Sequence, residues 1–526
     1  MASTSVVSQA FRFARGLRSF LHTPLTLPAA RAAIEEGLAH RDELLLGLLD
    51  DSVWDIPTSP YLALLRNAGL ERGDVRELVG ADGVDGALEQ LRDAGVYVAY
   101  EEYLGIEPAV RGSQTFSFGP PQFANPHIAP DYMQTSGGTR SAGTASGSSF
   151  QDRVRKAADL LIIYDGYGVV GAPGAVWMPA LPSSAGIGGV LNRAGIGTPA
   201  ERWFSPIDPY ARGIPLRKQS VSWLLPVVAR AYGGRVPRPR YVPTSEPGQV
   251  LEWCQGALAR DGRAVLHCYP SSAVALAQAA IEGRVALDGL VLRCGGEPVT
   301  PARRKAIEAS GATACQLYAF SPAGTVASAC PRCEGDEMHL HDHAFGSITR
   351  RRPRADGVMV DAFLWTSLAP TSGQVLLNME NDDYGMLLGP AEICGGPLDA
   401  LGLRRKISGV RGISKVVAGG VTVDGELLVQ LVDAVLPARF GGAPSDYQFA
   451  EAGADGVARL ELRVSARLPG VVEEEVVEVV EAALRGDELG LLAASVWSPS
   501  QSVRVVREQP RVARSGKTLA FEPLYP

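Results

Sequence analysis

No apolar run in the 526-residue chain reaches the roughly 18 residues that a membrane-spanning helix needs, so no membrane partner is expected. Positive charge is short as well: 50 lysines and arginines face 57 acids, a formal net charge of −7, with no basic stripe interleaved with aromatics. That excludes nucleic acid as an expected partner. Cysteine is sparse and odd in number, seven in all, which suits a reducing cytoplasm better than a disulfide framework. The N-terminus carries Arg12, Arg15 and Arg18 without an acid but has no signal-peptide apolar stretch or small-residue cleavage site, so a plain helix is predicted there. Internal repeats are absent.

What is present describes a globular protein: 46% hydrophobic and 20% charged residues, with a mean hydropathy of +0.04. The length suggests roughly three to four domain-sized units. Residues 1–110 read largely as helix, through RAAIEEGLAHRDELLLGLLDD and VDGALEQLRDAG. From about 155 to 330, strand-like runs alternate with helical ones: DLLIIYDG, then RAVLHCY with SSAVALAQAAIEG, then LDGLVLRCGG with PARRKAIEASG. The alternation predicts a parallel sheet with crossover helices. Residues 345–400 turn to β-like runs, VMVDAFLW and GQVLLNM, suited to an antiparallel or barrel-like subdomain. Beyond Arg404, Arg405 and Lys406, the runs VVAGGVTV, ELLVQLVDAVL, ARLELRVSARL and VVEEEVVEVVEAALRG predict a small α+β unit, with the acids of the last run as its solvated face.

Several turns have the composition of ligand-binding loops. YMQTSGGTRSAGTAS (132–146) combines glycines and hydroxyls with a single cation, Arg140; taken alone it fits a flexible linker as well as an anion-binding turn. LRCGGEPVT and CQLYAFSPAGT each follow a predicted strand, and in an open α/β sheet such turns flank one crevice. LLNMENDDYGMLL supplies Asp382 and Asp383, and a carboxylate can accept both hydroxyls of a ribose. The closing QPRVARSGKTLAF places Lys517 on a turn.

In this order the segments resemble the adenylate-forming superfamily, in particular its phenylacetate-CoA ligase and acyl-protein synthetase branch, over nearly the whole chain. The resemblance implies an α/β multidomain fold: a large N-terminal domain (1–405) with parallel sheets and a β subdomain, a hinge (406–412, with Lys406, Gly409 and Arg411) and a small mobile α+β C-terminal domain (413–526). It implies an adenylate site made of Ser136, Gly137, Thr139 and Arg140, then Gly295, Gly296, Glu297 and Pro298, then Tyr318, Ala319, Phe320 and Ser321, with Asp383 on the ribose. Lys517 would be the catalytic lysine of adenylation, and Tyr269 and Pro270 would wall the acyl pocket. In such ligases the C-terminal domain alternates between an adenylating pose and one that admits the CoA thiol to the acyl adenylate.

The chain departs from the pattern where ATP's outer phosphates would lie. The glutamate expected after the Tyr-Gly-x-Ser/Thr run to hold Mg²⁺ is replaced by Pro322; the phosphate loop has no lysine; the hinge arginine comes one place late. Each lost charge-stabilising contact costs about 2.7–4 kcal/mol, or roughly 10²–10³ in rate. Thiol attack on a ready-made acyl adenylate escapes that loss, because AMP leaves without a metal clamp on pyrophosphate. The reading is therefore a ligase specialised for thioesterification with CoA, supplied with acyl-AMP by a separate adenylating enzyme. It is similar to the non-adenylating acyl-CoA ligases of platensimycin and platencin biosynthesis, which act on bulky diterpenoid acids. The alternatives are a complete ligase using ATP and Mg²⁺, a non-catalytic acyl-adenylate or CoA sensor, and a ligase whose acceptor is a carrier protein.

Finally, CPRCEGDEMHLHDH crowds two cysteines and three histidines into fourteen residues. Cys330, Cys333 and His339, with Cys394 downstream, would make a closed, structural zinc site. The competing reading has His339, His341 and His343 alternating along one solvated strand face. Cys254, Cys268, Cys294 and Cys315 sit in apolar runs and read as core thiols.

Overall fold

The strand Thr313–Phe320 is the seam of a twelve-stranded sheet, parallel to Leu290–Cys294 on one edge and antiparallel to Gly324–Ser328 on the other. The computed structural model describes the chain apart from residues 1–5, 136–144, 181–184, 211–215, 245, 297–298, 300, 322, 354–358, 392, 414–415, 419–420, 424–426, 429–430, 443–445, 455–456, 486–502, 511–520 and 523–526. On the parallel side of the seam lie, in order, Leu290–Cys294, Ala264–Cys268, Gly174–Trp177, Arg202–Ser205 and Pro239–Tyr241. On the antiparallel side follow Gly324–Ser328, Met338–Leu340, Lys406–Gly412, Met379–Leu388, Met359–Ser367 and Phe345–Pro353.

The parallel strands are apolar on both faces because helices cover both. One face packs Leu266, Leu292 and Ala314 against Val250, Val274 and Leu276 of crossover helices. The other packs Val265, Val291 and Cys315 under the helix Phe150–Gly166. The N-terminal helices bury Leu45, Leu49, Leu65, Leu88 and Leu91 against Phe363, Leu364 and Trp365 of the antiparallel half. A separate four-stranded sheet, ordered Val503–Val506, Val457–Val464, Tyr447–Ala454 and Phe521–Glu522, packs Leu460, Leu462 and Phe449 on Val476 and Val480 of the helix Glu473–Arg485. The acids Glu473, Glu474, Glu475 and Glu478 of that helix face water, as its composition predicts. Among the described residues no helix is long and apolar enough to cross a membrane. The expected α/β architecture, with a β subdomain and a smaller α+β C-terminal unit, is the one observed.

Two local expectations fail. DLLIIYDG is not a strand but the end of the helix Phe150–Gly166, capped by Ser149, whose hydroxyl accepts from the Asp152 N–H at 3.1 Å. A short apolar run reads alike for a buried strand and a buried helix. Here the ion pairs of Arg155 with Asp152 (3.0 Å) and Asp159 (3.3 Å), at helical spacing, decide. GQVLLNM is likewise not a strand, which starts only at Met379. Its backbone bonds to other segments: the Val375 N–H to the Phe123 carbonyl, and the Asn378 amide side chain to the Leu88 and Val96 carbonyls. The stretch 406–412, expected to hold the hinge, runs as a ladder strand between Met338–Leu340 and Met379–Leu388.

The helix Phe150–Gly166 carries buried charge beneath the seam. The Asp159 carboxylate meets His343 Nε2 at 2.9 Å and His341 Nδ1 at 3.4 Å, all three residues at most 6% exposed. Burial alone would raise the Asp159 pKa, but the two imidazoles overcome it and hold the carboxyl well below its usual range. Replacing one member of such a cluster leaves the others buried and uncompensated. Asp159→Asn should lower unfolding stability by about 3 kcal/mol in a denaturant titration; an unchanged midpoint would show the cluster to be energetically neutral.

Candidate functional site

At the carboxyl end of the seam strand, Tyr318 and Asp383 come together from segments 65 residues apart: the tyrosine hydroxyl donates to Asp383 Oδ2 at 2.6 Å. The Asn381 amide donates to the Tyr318 hydroxyl (2.6 Å) and to Asp383 Oδ2 (3.1 Å), while its own carbonyl accepts from the Trp365 indole N–H (3.2 Å). Phe320 and Phe363 pack against Trp365 behind them, with ring centroids 5.4 and 5.9 Å away. Burial, then the Asp383 charge, push the Tyr318 pKa well above the ordinary phenol value, so the hydroxyl stays a donor. Asn381 and Trp365 escaped the sequence reading, although Asn381 stands two residues before Asp383; a chain of side-chain bonds across a sheet leaves no spacing signal.

Gly295 and Gly296 follow the adjacent parallel strand and complete this end of the crevice. A Cβ on Gly295 would lie 2.6 Å from a Leu317 methyl, and one on Gly296, whose φ is +86°, would lie 2.9 Å from the Tyr269 ring. Only glycine therefore lets this turn close over both neighbours. Tyr269 is buried among Met178, Trp203 and Phe150, and caps the helix Pro270–Glu282 at its N-terminal end. The turn after the strand is braced from below: Arg155 donates to the Ala323 carbonyl at 3.4 Å, and a Cβ on Gly324 would strike the Lys156 stem at 2.5 Å. Ala319 and Ser321 are exposed at the same end. Of the other expected residues, Ser136, Gly137, Thr139, Arg140, Glu297, Pro298 and Lys517 lie outside the described residues.

The residues expected at the hinge are tied to the neighbouring loop. Lys406, 3% exposed, pairs with Glu337, the Gly409 N–H donates to Asp336 Oδ2 at 3.0 Å, and Arg411 approaches the same carboxylate at 3.8 Å.

Cys330, Cys333, His339 and Cys394 form a cluster whose ligand atoms all lie within 4.8 Å of one another. The sulfurs of Cys330 and Cys394 are 3.4 Å apart, those of Cys330 and Cys333 3.7 Å, and His339 Nε2 is 3.3 Å from Cys394 Sγ. A tetrahedral zinc bonded to sulfur at about 2.3 Å would set the sulfurs about 3.8 Å apart, so the cage has the right size. The tautomer is right too. His339 Nδ1 donates to the Leu403 carbonyl at 2.6 Å, which leaves the Nε2 lone pair facing the sulfurs. Asp399 Oδ2 accepts from the Cys394 and Gly395 N–H groups at 2.7 and 2.8 Å and fixes the far arm. Without a cation only one thiol ionises readily: the Cys333 S–H donates to Cys330 and lowers its pKa, and the same bond, with burial, raises that of Cys333.

His341 and His343 are not solvated, contrary to the strand-face reading; they turn to the buried Asp159. Cys254, Cys268, Cys294 and Cys315 are buried thiols.

No protein-family model matches the sequence, and no curated protein does. Among solved structures, the chain is similar to 2-hydroxyisobutyryl-CoA ligase in complex with 2-HIB-AMP and CoA in the thioesterification state, at 15% identity and a TM-score of 0.48, over 93% of this chain and 89% of that one. It is also similar to ATP-bound MatB from Rhodopseudomonas palustris (12%, TM-score 0.33, 75% and 66%) and to an AMP-forming acyl-CoA synthetase-like protein from Dyadobacter fermentans (14%, TM-score 0.27, 74% and 87%). Likeness at this level carries no argument of its own.

The cage predicts one equivalent of zinc per chain by elemental analysis of protein purified without chelator. Cys394→Ser should lose most of that zinc, and zinc affinity should fall as pH drops, because protons compete for the thiolates. Metal-free protein with unchanged thermal stability would count against a structural site.

Proposed function

We propose that this chain is an adenylate-forming-type acyl-CoA ligase that carries out the thioesterification half-reaction on a preformed acyl adenylate. The observation that carries the reading is the Asp383 carboxylate, held by the Tyr318 hydroxyl and the Asn381 amide at the end of the seam strand, beside the Gly295-Gly296 turn. A carboxylate has lone pairs for about four hydrogen bonds, and one held in place by these two donors suits the diol of a ribose. The aromatic wall of Tyr318 and Phe320 suits a planar base or the acyl ester beside it.

The chemistry balances without a metal. The CoA sulfur, as thiolate, attacks the carbonyl carbon of the mixed anhydride; a C–S bond forms, the tetrahedral adduct collapses, and the bond from that carbon to the bridging phosphate oxygen breaks. AMP leaves with that electron pair, and the thiol proton passes to solvent. ATP activation would need a carboxylate to hold Mg²⁺ against the triphosphate, and the chain has Pro322 where one is expected. The acyl-AMP would then come from a separate adenylating enzyme. Its acid would be bulky, of the diterpenoid kind, and the place of use natural-product (antibiotic) biosynthesis in the cytoplasm. The remaining assignments belong to the same proposal: Ser136, Gly137, Thr139 and Arg140 on the phosphate, Glu297 and Pro298 near the adenine, Lys517 on a C-terminal domain that begins after 412, and a structural zinc at the cysteine cage.

Two assays separate the half-reactions. Thioester formation from synthetic acyl-AMP and CoA should proceed, whereas pyrophosphate exchange with ATP and free acids should stay at background; exchange at ordinary rates would return the chain to the complete two-step ligases. Asp383→Ala should raise the KM for acyl-AMP about tenfold to a hundredfold while the fold persists, the scale expected for a lost charged hydrogen bond. Tyr318→Phe should have a smaller effect in the same direction. Equal KM values for all three proteins would remove Asp383 from the site.

A further inference from the structure

Two neighbouring parallel strands each turn one polar side chain toward the face covered by the helices Phe150–Gly166 and Ala185–Gly195. They are His267 and Arg293, directly opposed in register, two residues beyond the apolar Val265 and Val291 on that face. Arg293 is 7% exposed, yet among the described residues it has no carboxylate within ion-pair distance, and its hydrogen bond goes to His267 Nε2 at 3.2 Å. Leaving a guanidinium buried against a neutral partner is costly unless something else completes it.

The pairing also fixes the histidine. Arginine can only donate, so Nε2 must accept and the ring proton sits on Nδ1. Burial and the adjacent Arg293 charge hold the His267 pKa well below its ordinary value, which keeps the ring neutral. Its Nδ1 points at Gly189, where a Cβ would come within 2.8 Å. His267 is only half-buried although its strand is interior to the sheet. One residue away, Gly188 faces a second buried cation: Arg153, 4% exposed, which donates to the Tyr132 hydroxyl, Asn192 Oδ1 and the Gly188 carbonyl and pairs with no carboxylate among the described residues. The pair Arg293 and His267 therefore offers donors only, in a cationic setting, two residues below the Tyr269 and Gly295 level.

We propose that Arg293 and the Nδ1–H of His267 form a subsite for a second carboxylate, carried by the acyl group at the end remote from the reacting carbonyl. This rests on the acyl-adenylate half of the proposed function and replaces the diterpenoid acid named there with another class: dicarboxylic acids, activated at one end. Tyr269 and the Gly295-Gly296 turn stand at the reacting end, and two strand residues, roughly 7 Å, separate that level from Arg293. A chain of intermediate length spans the two.

The test is a calorimetric titration of the full chain with matched synthetic adenylates, hexanoyl-AMP against adipoyl-AMP, and the succinyl and suberoyl members to set length. Adipoyl-AMP should bind about tenfold to a hundredfold tighter than hexanoyl-AMP, as a charge-assisted contact implies. Arg293→Met should erase that preference and leave hexanoyl-AMP binding close to wild type, and Arg293→Lys should restore part of it. If Arg293→Met does not fold, Gly189→Ala reads the same preference by pushing a methyl onto the Nδ1 side. Equal affinities in the wild type, or a preference that survives both variants, overturn the subsite. Tight binding of hexanoyl-AMP without a preference overturns it while sparing the proposed function; failure of every adenylate to bind overturns both.

Discussion

The arrangement depends on one strand serving two ladders. Thr313–Phe320 pairs in parallel through its first half and antiparallel through its second, with a register shift between Tyr318 and Ala319. Parallel pairing brings it beside Leu290–Cys294 and therefore beside the Gly295-Gly296 turn. Antiparallel pairing leads through Gly324–Ser328 into the half of the sheet that holds Asp383. Tyr318 stands where one mode gives way to the other, and its hydroxyl closes the bond between the two halves. A strand with only one kind of neighbour would bring one of these groups to the crevice but not both.

Beneath the seam the helix Phe150–Gly166 plays the complementary part. It is apolar enough to be buried nearly all round, yet carries Asp152, Arg153, Lys156 and Asp159 into the interior. The acids are paired, Asp152 with Arg155 and Lys156 and Asp159 with Arg155 and the two histidines, whereas Arg153 donates to neutral acceptors. The histidines follow directly on the strand Met338–Leu340, which carries His339 to the cysteine cage. One helix thus anchors the turn after Phe320 and the metal-binding segment, so the two cannot shift independently. Buried ion pairs of this kind add little net stability but discriminate strongly against other packings.

How much of this the residues disclosed varies with the kind of signal. Alternation along RAVLHCY and LVLRC with helical runs between them was enough for the parallel half, and glycine pairs after strands marked the crevice, because these follow from local periodicity and backbone freedom. The Cys-x-x-Cys spacing with His339 likewise pointed to a cage that the folded chain assembles. DLLIIYDG misled because four apolar residues suit either element, and the arginine that pairs with its Asp159 at helical spacing lies upstream of the run. His341 and His343 misled because alternation in a strand says which face a side chain takes, not whether that face meets water or, here, Asp159. Asn381, Trp365 and the Arg293–His267 pair were illegible for a common reason. Each acquires its meaning from a partner on another strand, and no spacing within one segment encodes that.

The strand Lys406–Gly412 is secured on both edges by ladder bonds, and its flank is clasped by Asp336 and Glu337. Even the next residue is held, since the Ile413 N–H donates to the Asp382 carbonyl at 2.8 Å. The backbone beside Asp383 is therefore bonded directly to the strand from which the chain runs on toward the C-terminal sheet.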